Sequence, residues 1–221
     1  MRTKVLLGLA ALAVGLSTSV AQNVYSLNVV GYINVAVKGG AYTLCANQLN
    51  NGTNGINAVL AAPPDNALVL KFKNNSYVTD VSQGGAWYDY STTLPSTTTL
   101  NPGEGFFYNN PGTTGTITLV GEVPQGSGLT VNLPSGYALV ATYVPEALEL
   151  STTNGFPMVD NTLFLSYDNN ANKYVTDVVQ GGAWYDYTTT LPATVIPAVG
   201  QGYFINNPVA ATTWSINFTV Q

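Results

Sequence analysis

The chain has 221 residues, of which 46% are hydrophobic, 11% are aromatic and only 8% are charged, and its net charge is −5. This aromatic content with so few charges excludes a disordered chain. An acidic chain with so few lysines and arginines is also a poor nucleic-acid binder, since binding requires cations that displace the counterions of phosphates. The absence of histidine removes the usual general base and the commonest transition-metal ligand, so we expect no cofactor.

Residues 1–21 have the pattern of a cleaved signal peptide. A basic start precedes the apolar run 5–16, which is too short to anchor permanently in a bilayer, and small residues follow up to Ala21. Cleavage there leaves a chain that begins with Gln22 and contains no later apolar stretch of membrane-spanning length. We therefore expect a secreted protein, located in the periplasm, on the cell surface or outside the cell.

The single cysteine, Cys45, argues against a fold stapled by disulfides, because exported domains of that kind carry an even set of cysteines. It lies in the apolar run 42–46, which favours a small buried hydrophobic side chain. An intermolecular disulfide is the alternative.

After the leader, the chain divides into an N-terminal strand, residues 22–38, and two copies of one repeat, residues 39–123 and 124–221. The block Gln-Gly-Gly-Ala-Trp-Tyr-Asp-Tyr at 83–90 returns unchanged at 180–187, and other matching segments keep the same spacing. Upstream matches have a spacing that is two residues shorter, which places the additional residues in a loop. This self-similarity predicts a duplication.

Each copy consists of short apolar or Gly-to-aromatic runs that end at Asn-rich turns, which is typical of strands. The pattern predicts an all-β fold with two tandem sandwich-like or barrel-like repeats. Short helical stretches are expected at 55–61 and near 145–150.

Three strand-like segments of one kind flank the two repeats, at 29–33, 119–123 and 214–218. If each repeat needs one such strand at its boundary, the N-terminal one is surplus. It either extends a sheet or pairs with a neighbouring molecule, because an unpaired strand edge is a template for association.

The repeated block is the best candidate for a ligand-binding site, since exposed aromatic rings stack on sugars while aspartates accept hydroxyl hydrogens. The candidate residues are Trp87, Tyr88, Asp89, Tyr90, Trp184, Tyr185, Asp186 and Tyr187. On a strand, Trp87 and Asp89 share one face and the two tyrosines the other. Core packing is the competing interpretation, because aromatic residues dominate β cores. If both tryptophans are more than about nine-tenths buried, the sugar hypothesis fails.

Four aspartates, Asp80, Asp89, Asp177 and Asp186, are the acids of this region that both copies share. Glycoside hydrolysis needs two carboxylates on either side of the scissile bond. The spacing does not demand that arrangement, and aspartate is common in turns, so we expect no enzymatic activity.

The segment 168–172 spaces oxygen-bearing side chains like a calcium loop, but the next residue is Lys173 rather than glycine. Lys73 replaces Asp168 in the other copy. A polar hairpin turn is the favoured interpretation, and no metal site is predicted.

The segment 25–34, Tyr-Ser-Leu-Asn-Val-Val-Gly-Tyr-Ile-Asn directly after a leader, resembles the opening of a group of uncharacterised exported proteins of verrucomicrobial bacteria. Segments 102–107 and 120–125 and the strand around Trp214 are similar to that group as well. The resemblance implies export and a β-rich fold and transfers no activity.

Two functions follow from these observations. The first is a non-catalytic structural or cell-surface protein that associates with itself through the N-terminal strand. The second is a carbohydrate-binding protein that recognises a cell-surface or extracellular polysaccharide through the duplicated block.

Overall fold

The computed structural model describes residues 29–168, 171 and 173–220. The expected signal peptide, residues 1–21, and residues 22–28 of the N-terminal strand lie outside the described residues. The regular secondary structure of the described chain consists almost entirely of antiparallel strands in two similar halves, which confirms the predicted all-β class and the duplication.

The first half contains two sheets that enclose a core. Its strands are β1 (Val30–Val37), β2 (Ala41–Ala46), β3 (Leu68–Lys73), β4 (Ser76–Gln83), β5 (Ala86–Asp89), β6 (Gly105–Asn110) and β7 (Gly115–Glu122). One sheet has the order β2-β6-β3-β4-β5, and β1 pairs with β7 in a separate two-stranded sheet. Inward side chains of both sheets, including Ile33, Val69 and Leu119, form one hydrophobic cluster.

The second half repeats this arrangement. Its strands are β8 (Gly126–Leu133), β9 (Gly136–Val140), β10 (Leu163–Asp168), β11 (Lys173–Gln180), β12 (Ala183–Asp186), β13 (Tyr203–Asn207) and β14 (Thr212–Phe218). The larger sheet has the order β12-β11-β10-β13-β9, and β8 pairs with β14. A second cluster, which includes Val131, Phe164 and Ile216, fills the space between them.

The boundary strands number four in the described chain rather than the expected three. β8 was the strand missing from the prediction, and it takes the place in the second half that β1 takes in the first. Because β1 pairs with β7 over its whole length, from Val30 opposite Glu122 to Val37 opposite Gly115, it is an integral strand of the first half and is not surplus.

The helical elements are short. The helix α1 (Ile56–Val59) lies within the expected stretch 55–61. The helix expected near 145–150 is wrong, because a 3₁₀ turn at Thr152–Asn154 occupies the equivalent place instead. Its Ser, Thr and Asn side chains compete with helical backbone bonds, and Gly155 ends it in the left-handed region with a φ of 75°.

The two halves pack through the outer faces of their larger sheets. The contact is an apolar cluster centred on Leu44 and Phe107 of the first half and on Leu139 and Phe204 of the second. The rings of Phe107 and Phe204 approach to a centroid distance of 6.3 Å. Tight side-chain packing of this kind joins the halves into a single body.

Backbone hydrogen bonds across this contact are reciprocal. The amide of Ala46 donates to the carbonyl of Gly200 over 2.8 Å, and the amide of Ala141 donates to the carbonyl of Gly103 over 3.0 Å. Ala46 corresponds to Ala141 in the internal alignment, and Gly103 corresponds to Gly200. Exchanging the halves therefore exchanges the two bonds, so a pseudo-two-fold axis relates the halves.

Two equivalent glycines, Gly105 and Gly202, lie at the centre of the contact. A Cβ atom on Gly202 would lie 2.5 Å from the carbonyl oxygen of Cys45 and 3.2 Å from the Cα atom of Gly105. The Cys45 side chain is itself fully buried in the first core, and this burial raises the pKa of its thiol. The structure thus favours the buried hydrophobic role that the sequence suggested for Cys45.

Candidate functional site

The tryptophans of the repeated block belong to the two cores. Trp87 is 0% exposed and Trp184 is 3% exposed. The Nε1–H of Trp87 donates to the carbonyl oxygen of Leu60 over 2.9 Å, and that of Trp184 donates to the carbonyl oxygen of Leu150 over 2.6 Å. An indole with a satisfied N–H and no exposed face cannot stack on a sugar. The prediction that Trp87 and Trp184 bind a ligand is therefore wrong.

The aspartates of the block cap the turns that follow β5 and β12. Oδ1 of Asp89 accepts hydrogen bonds from the amides and hydroxyls of Ser91 and Thr92, at 2.6–2.9 Å. Bonds from the Ser91 hydroxyl and from Thr92 lower the pKa of Asp89 to about 2. Asp186 accepts three equivalent bonds, from the amides of Thr188 and Thr189 and from the Thr189 hydroxyl, and those from Thr189 lower its pKa. Both aspartates therefore have the turn-capping role that the sequence analysis gave as the alternative to ligand binding.

The tyrosines of the block lie on the opposite face from the tryptophans, as the alternation predicted. Tyr88 and Tyr185 are half-buried, whereas Tyr90 and Tyr187 are 63% and 61% exposed. Each copy therefore presents a single exposed ring of the block to solvent.

The edges of β5 and β12 are covered by the segments that follow them. Tyr88 bridges to Pro95 and Tyr185 bridges to Pro192. Proline has no backbone N–H, so it ends the hydrogen-bond ladder at each edge. These edges are consequently protected against pairing with another chain.

A recess on the inner face of the first larger sheet brings together acids that the sequence had singled out. Asp80 on β4 lies directly opposite Asp89 on β5. The recess has a volume of about 280 Å³ and is lined by Lys71, Lys73, Val78, Asp80, Asp89 and residues 97–99. The two aspartates stand on neighbouring strands of one sheet and form one wall, whereas glycoside hydrolysis places its carboxylates on either side of the bond.

Asp80 is the most unusual residue of this recess. It is 1% exposed, and neither of its carboxylate oxygens has a hydrogen-bond partner among the described residues. Buried polar groups are nearly always hydrogen-bonded, so an unpartnered carboxylate calls for an explanation. The sequence pointed to this residue only as an acid present in both copies.

The same place in the second half differs in its chemistry. Asp177 lies opposite Asp186, but it is only partly buried, and desolvation followed by the charge of Asp186 raises its pKa. Val195 and Ile196 stand where the first half has Thr98 and Thr99. The second half therefore lacks two of the threonine hydroxyl groups that the first half has at this place.

The outer face of the two-stranded sheet β1–β7 carries exposed apolar side chains. Tyr32 is 70% exposed and lies directly opposite Val120, which is 42% exposed. Val30 follows on the same face and is also exposed. The alternate residues Ile33 and Leu119 point inward and are buried, so the exposed residues are not part of the core.

Within the described residues, no group of three or more His, Cys, Asp or Glu side chains is arranged to hold a metal ion, and no helix has the length and apolar character to cross a membrane. In the segment 168–172, the amide of Ala171 donates to Oδ1 of Asp168, and residues 169, 170 and 172 lie outside the described part.

Comparison with protein-family models, curated proteins and solved structures finds no match.

Proposed function

We propose that this chain is an exported, non-catalytic structural protein of the cell surface or extracellular space, which associates with itself through its N-terminal strand. The observation that carries the proposal is the exposed apolar face of β1, where Val30 and Tyr32 lie beside Val120. Exposed apolar side chains that are contiguous on one face are characteristic of interaction surfaces.

The second half supports this interpretation because it has the same strands without the same side chains. Leu129 pairs with Ile216 as Ile33 pairs with Leu119. In that register Tyr32 corresponds to Gly128 and Val30 to Gly126. The two-stranded sheet of the second half therefore folds without apolar residues on its outer face. Folding alone does not explain why the first half has Val30 and Tyr32 there, whereas association does.

The position of β1 in its sheet also favours association. Within the described chain, the sheet contains only β1 and β7, so β1 has one edge that is not joined to a third strand. A strand of a second molecule could pair along this edge, and the side chains of that molecule would then also cover Tyr32. The covered edges of β5 and β12 offer no such template.

Size-exclusion chromatography with light scattering, on the chain from Gln22 onward and over a range of concentrations, tests the proposal. We expect dimers or larger species that Val30→Thr/Tyr32→Ser converts to monomer. The matched control is Tyr90→Ser/Tyr187→Ser, which removes two equally exposed rings and should leave association unchanged. A wild type that stays monomeric at the highest concentration contradicts the proposal, as does equal loss of association in both variants.

Export is tested separately by expressing the full chain in a Gram-negative host. Intact-mass measurement of the protein outside the cytoplasm should give the mass of a chain that begins with Gln22, because signal peptidase cleaves after a small-x-small motif. Retention of the full-length mass in the cytoplasm would remove the exported part of the proposal.

A further inference from the structure

The buried carboxylate of Asp80 needs a compensating group that the protein itself does not provide. Transfer of an ionised carboxylate out of water is very unfavourable unless it is paired or hydrogen-bonded. Asp80 is 1% exposed, and its two oxygens have no partner among the described residues. Its cross-strand neighbours are Val69, which is apolar, and Asp89, which is also acidic.

Lys71, one of the two lysines that line the recess, is already engaged elsewhere. The ammonium group of Lys71 donates to Oε2 of Glu104 over 2.8 Å and to the carbonyl oxygen of Thr99 over 2.7 Å. The Lys71–Glu104 ion pair is neutral as a unit. Lys73 also lines the recess, but it is exposed to solvent. The inner wall of the recess thus carries the carboxyl groups of Asp80 and Asp89, and neither forms an ion pair with a described residue.

The donor atoms around Asp80 are hard oxygen ligands. All hydrogen bonds from Ser91 and Thr92 to Asp89 end on Oδ1, which leaves Oδ2 for another partner. Residues 97–99 also line the recess, and all three are threonines. Carboxylate, hydroxyl and carbonyl oxygens, completed by water, are the ligands that Ca²⁺ prefers.

We propose that the Asp80 recess is a binding site for a divalent cation of the Ca²⁺ type, with Asp80 and Asp89 as its carboxylate ligands. With only two carboxylates the site is a weak one, in the range of about 10⁻⁴–10⁻³ M found for extracellular calcium modules. This range matches the compartment to which the leader directs the chain, although the site does not depend on the proposed self-association.

The second half supplies an internal control. Asp177 and Asp186 repeat the carboxylate pair, but Asp177 is only partly buried and water reaches it. Val195 and Ile196 also replace two of the threonines. We therefore expect one bound cation per chain, in the first half.

Thermal unfolding of the mature chain, measured in EDTA and in CaCl₂ with ionic strength matched by NaCl, tests the proposal. At about ten times the Kd, Ca²⁺ should raise the Tm of the wild type by about 3–5 °C. Asp80→Asn should lose this response, and in EDTA its Tm should exceed that of the wild type because an uncompensated charge has been removed. Asp177→Asn should respond to Ca²⁺ as the wild type does.

Isothermal titration with CaCl₂ gives the second readout, with one site expected for the wild type and for Asp177→Asn and none for Asp80→Asn. A wild type whose Tm and heats do not respond to Ca²⁺ overturns the proposal. So does an Asp80→Asn variant that keeps the wild-type response, because the ion would then bind elsewhere.

Discussion

Substitution of Gly202 by alanine tests the contact on which the arrangement of the two halves depends. Gly202 lies next to its equivalent, Gly105, beside the pseudo-two-fold axis. Its added Cβ would meet the Cys45 carbonyl oxygen at 2.5 Å, the Cys45 carbonyl carbon at 3.2 Å and the Gly105 Cα atom at 3.2 Å. All of these are backbone atoms, so no side chain can rotate to make room. The halves themselves must separate.

The cost follows from the required displacement. Ordinary van der Waals contact begins at 3.4 Å, so the backbones must separate by about 0.9 Å, which loosens the apolar contact between the halves. Overpacking of this kind costs about 1–3 kcal/mol. The bond from the Ala46 amide to Gly200, now 2.8 Å, is stretched at a further cost of about 1 kcal/mol. We expect a total loss of about 3 kcal/mol in the free energy of unfolding.

Urea or thermal unfolding monitored by circular dichroism measures this loss. For a chain of this size, about 3 kcal/mol corresponds to a decrease in Tm of about 6–12 °C. Gly115→Ala is the matched control, because Gly115 is also in a strand and the new Cβ would lie 3.8 Å from the closest atom outside the adjoining residues. A Gly202→Ala variant as stable as Gly115→Ala would refute the packing of the halves described above.

Four further predictions concern the sites discussed above. Trp87→Phe should lower the free energy of unfolding by about 2–4 kcal/mol in urea titrations, since it removes the bond to Leu60 and leaves a void. Asp89→Ala should lower the Tm at neutral pH, and the deficit should close as the pH falls from about 4 to about 2, because the lowered pKa of Asp89 stabilises the fold only while this group is ionised. Asp177→Asn should raise the Tm at neutral pH and have no effect below about pH 4, because the raised pKa of Asp177 means that its ionised form opposes folding. Cys45 should not react with a thiol reagent until denaturant is added, since the thiol is buried and its pKa is raised; rapid labelling of the native protein would contradict this.

The sequence identified the strands that have strong alternation or strong internal repetition. It missed β8, because Gly126 and Gly128 weaken the β signal at its start. The alternation of Leu129, Val131 and Leu133 in the same strand was the available clue. Comparison of the two copies did not reveal β8 either, since β1 and β8 share hardly any side chains outside the inward face.

The candidate site shows a different limit of sequence analysis. Alternation correctly separated Trp87 and Asp89 from Tyr88 and Tyr90, but it does not tell which face of a strand is covered. That choice is made by β1, β7 and α1, which close over the inner face of the sheet from distant parts of the chain. The burial of Asp80 has the same origin, because its surroundings come from the distant segment 97–99.

The reciprocal bonds between the halves have a consequence for how this chain can change. In a symmetric dimer, both subunits use the same surface patch, which must be complementary to itself. Every substitution in such a pair appears twice and has to suit both subunits at once. Here the two subunits are tethered in one chain, and their encounter is intramolecular at high effective concentration. Each partner of this tethered dimer is thereby free to diverge alone. The two halves differ in this way where Tyr32 aligns with Gly128 and where Thr98 aligns with Val195. A strictly symmetric dimer would have the same residue at each such position in both subunits.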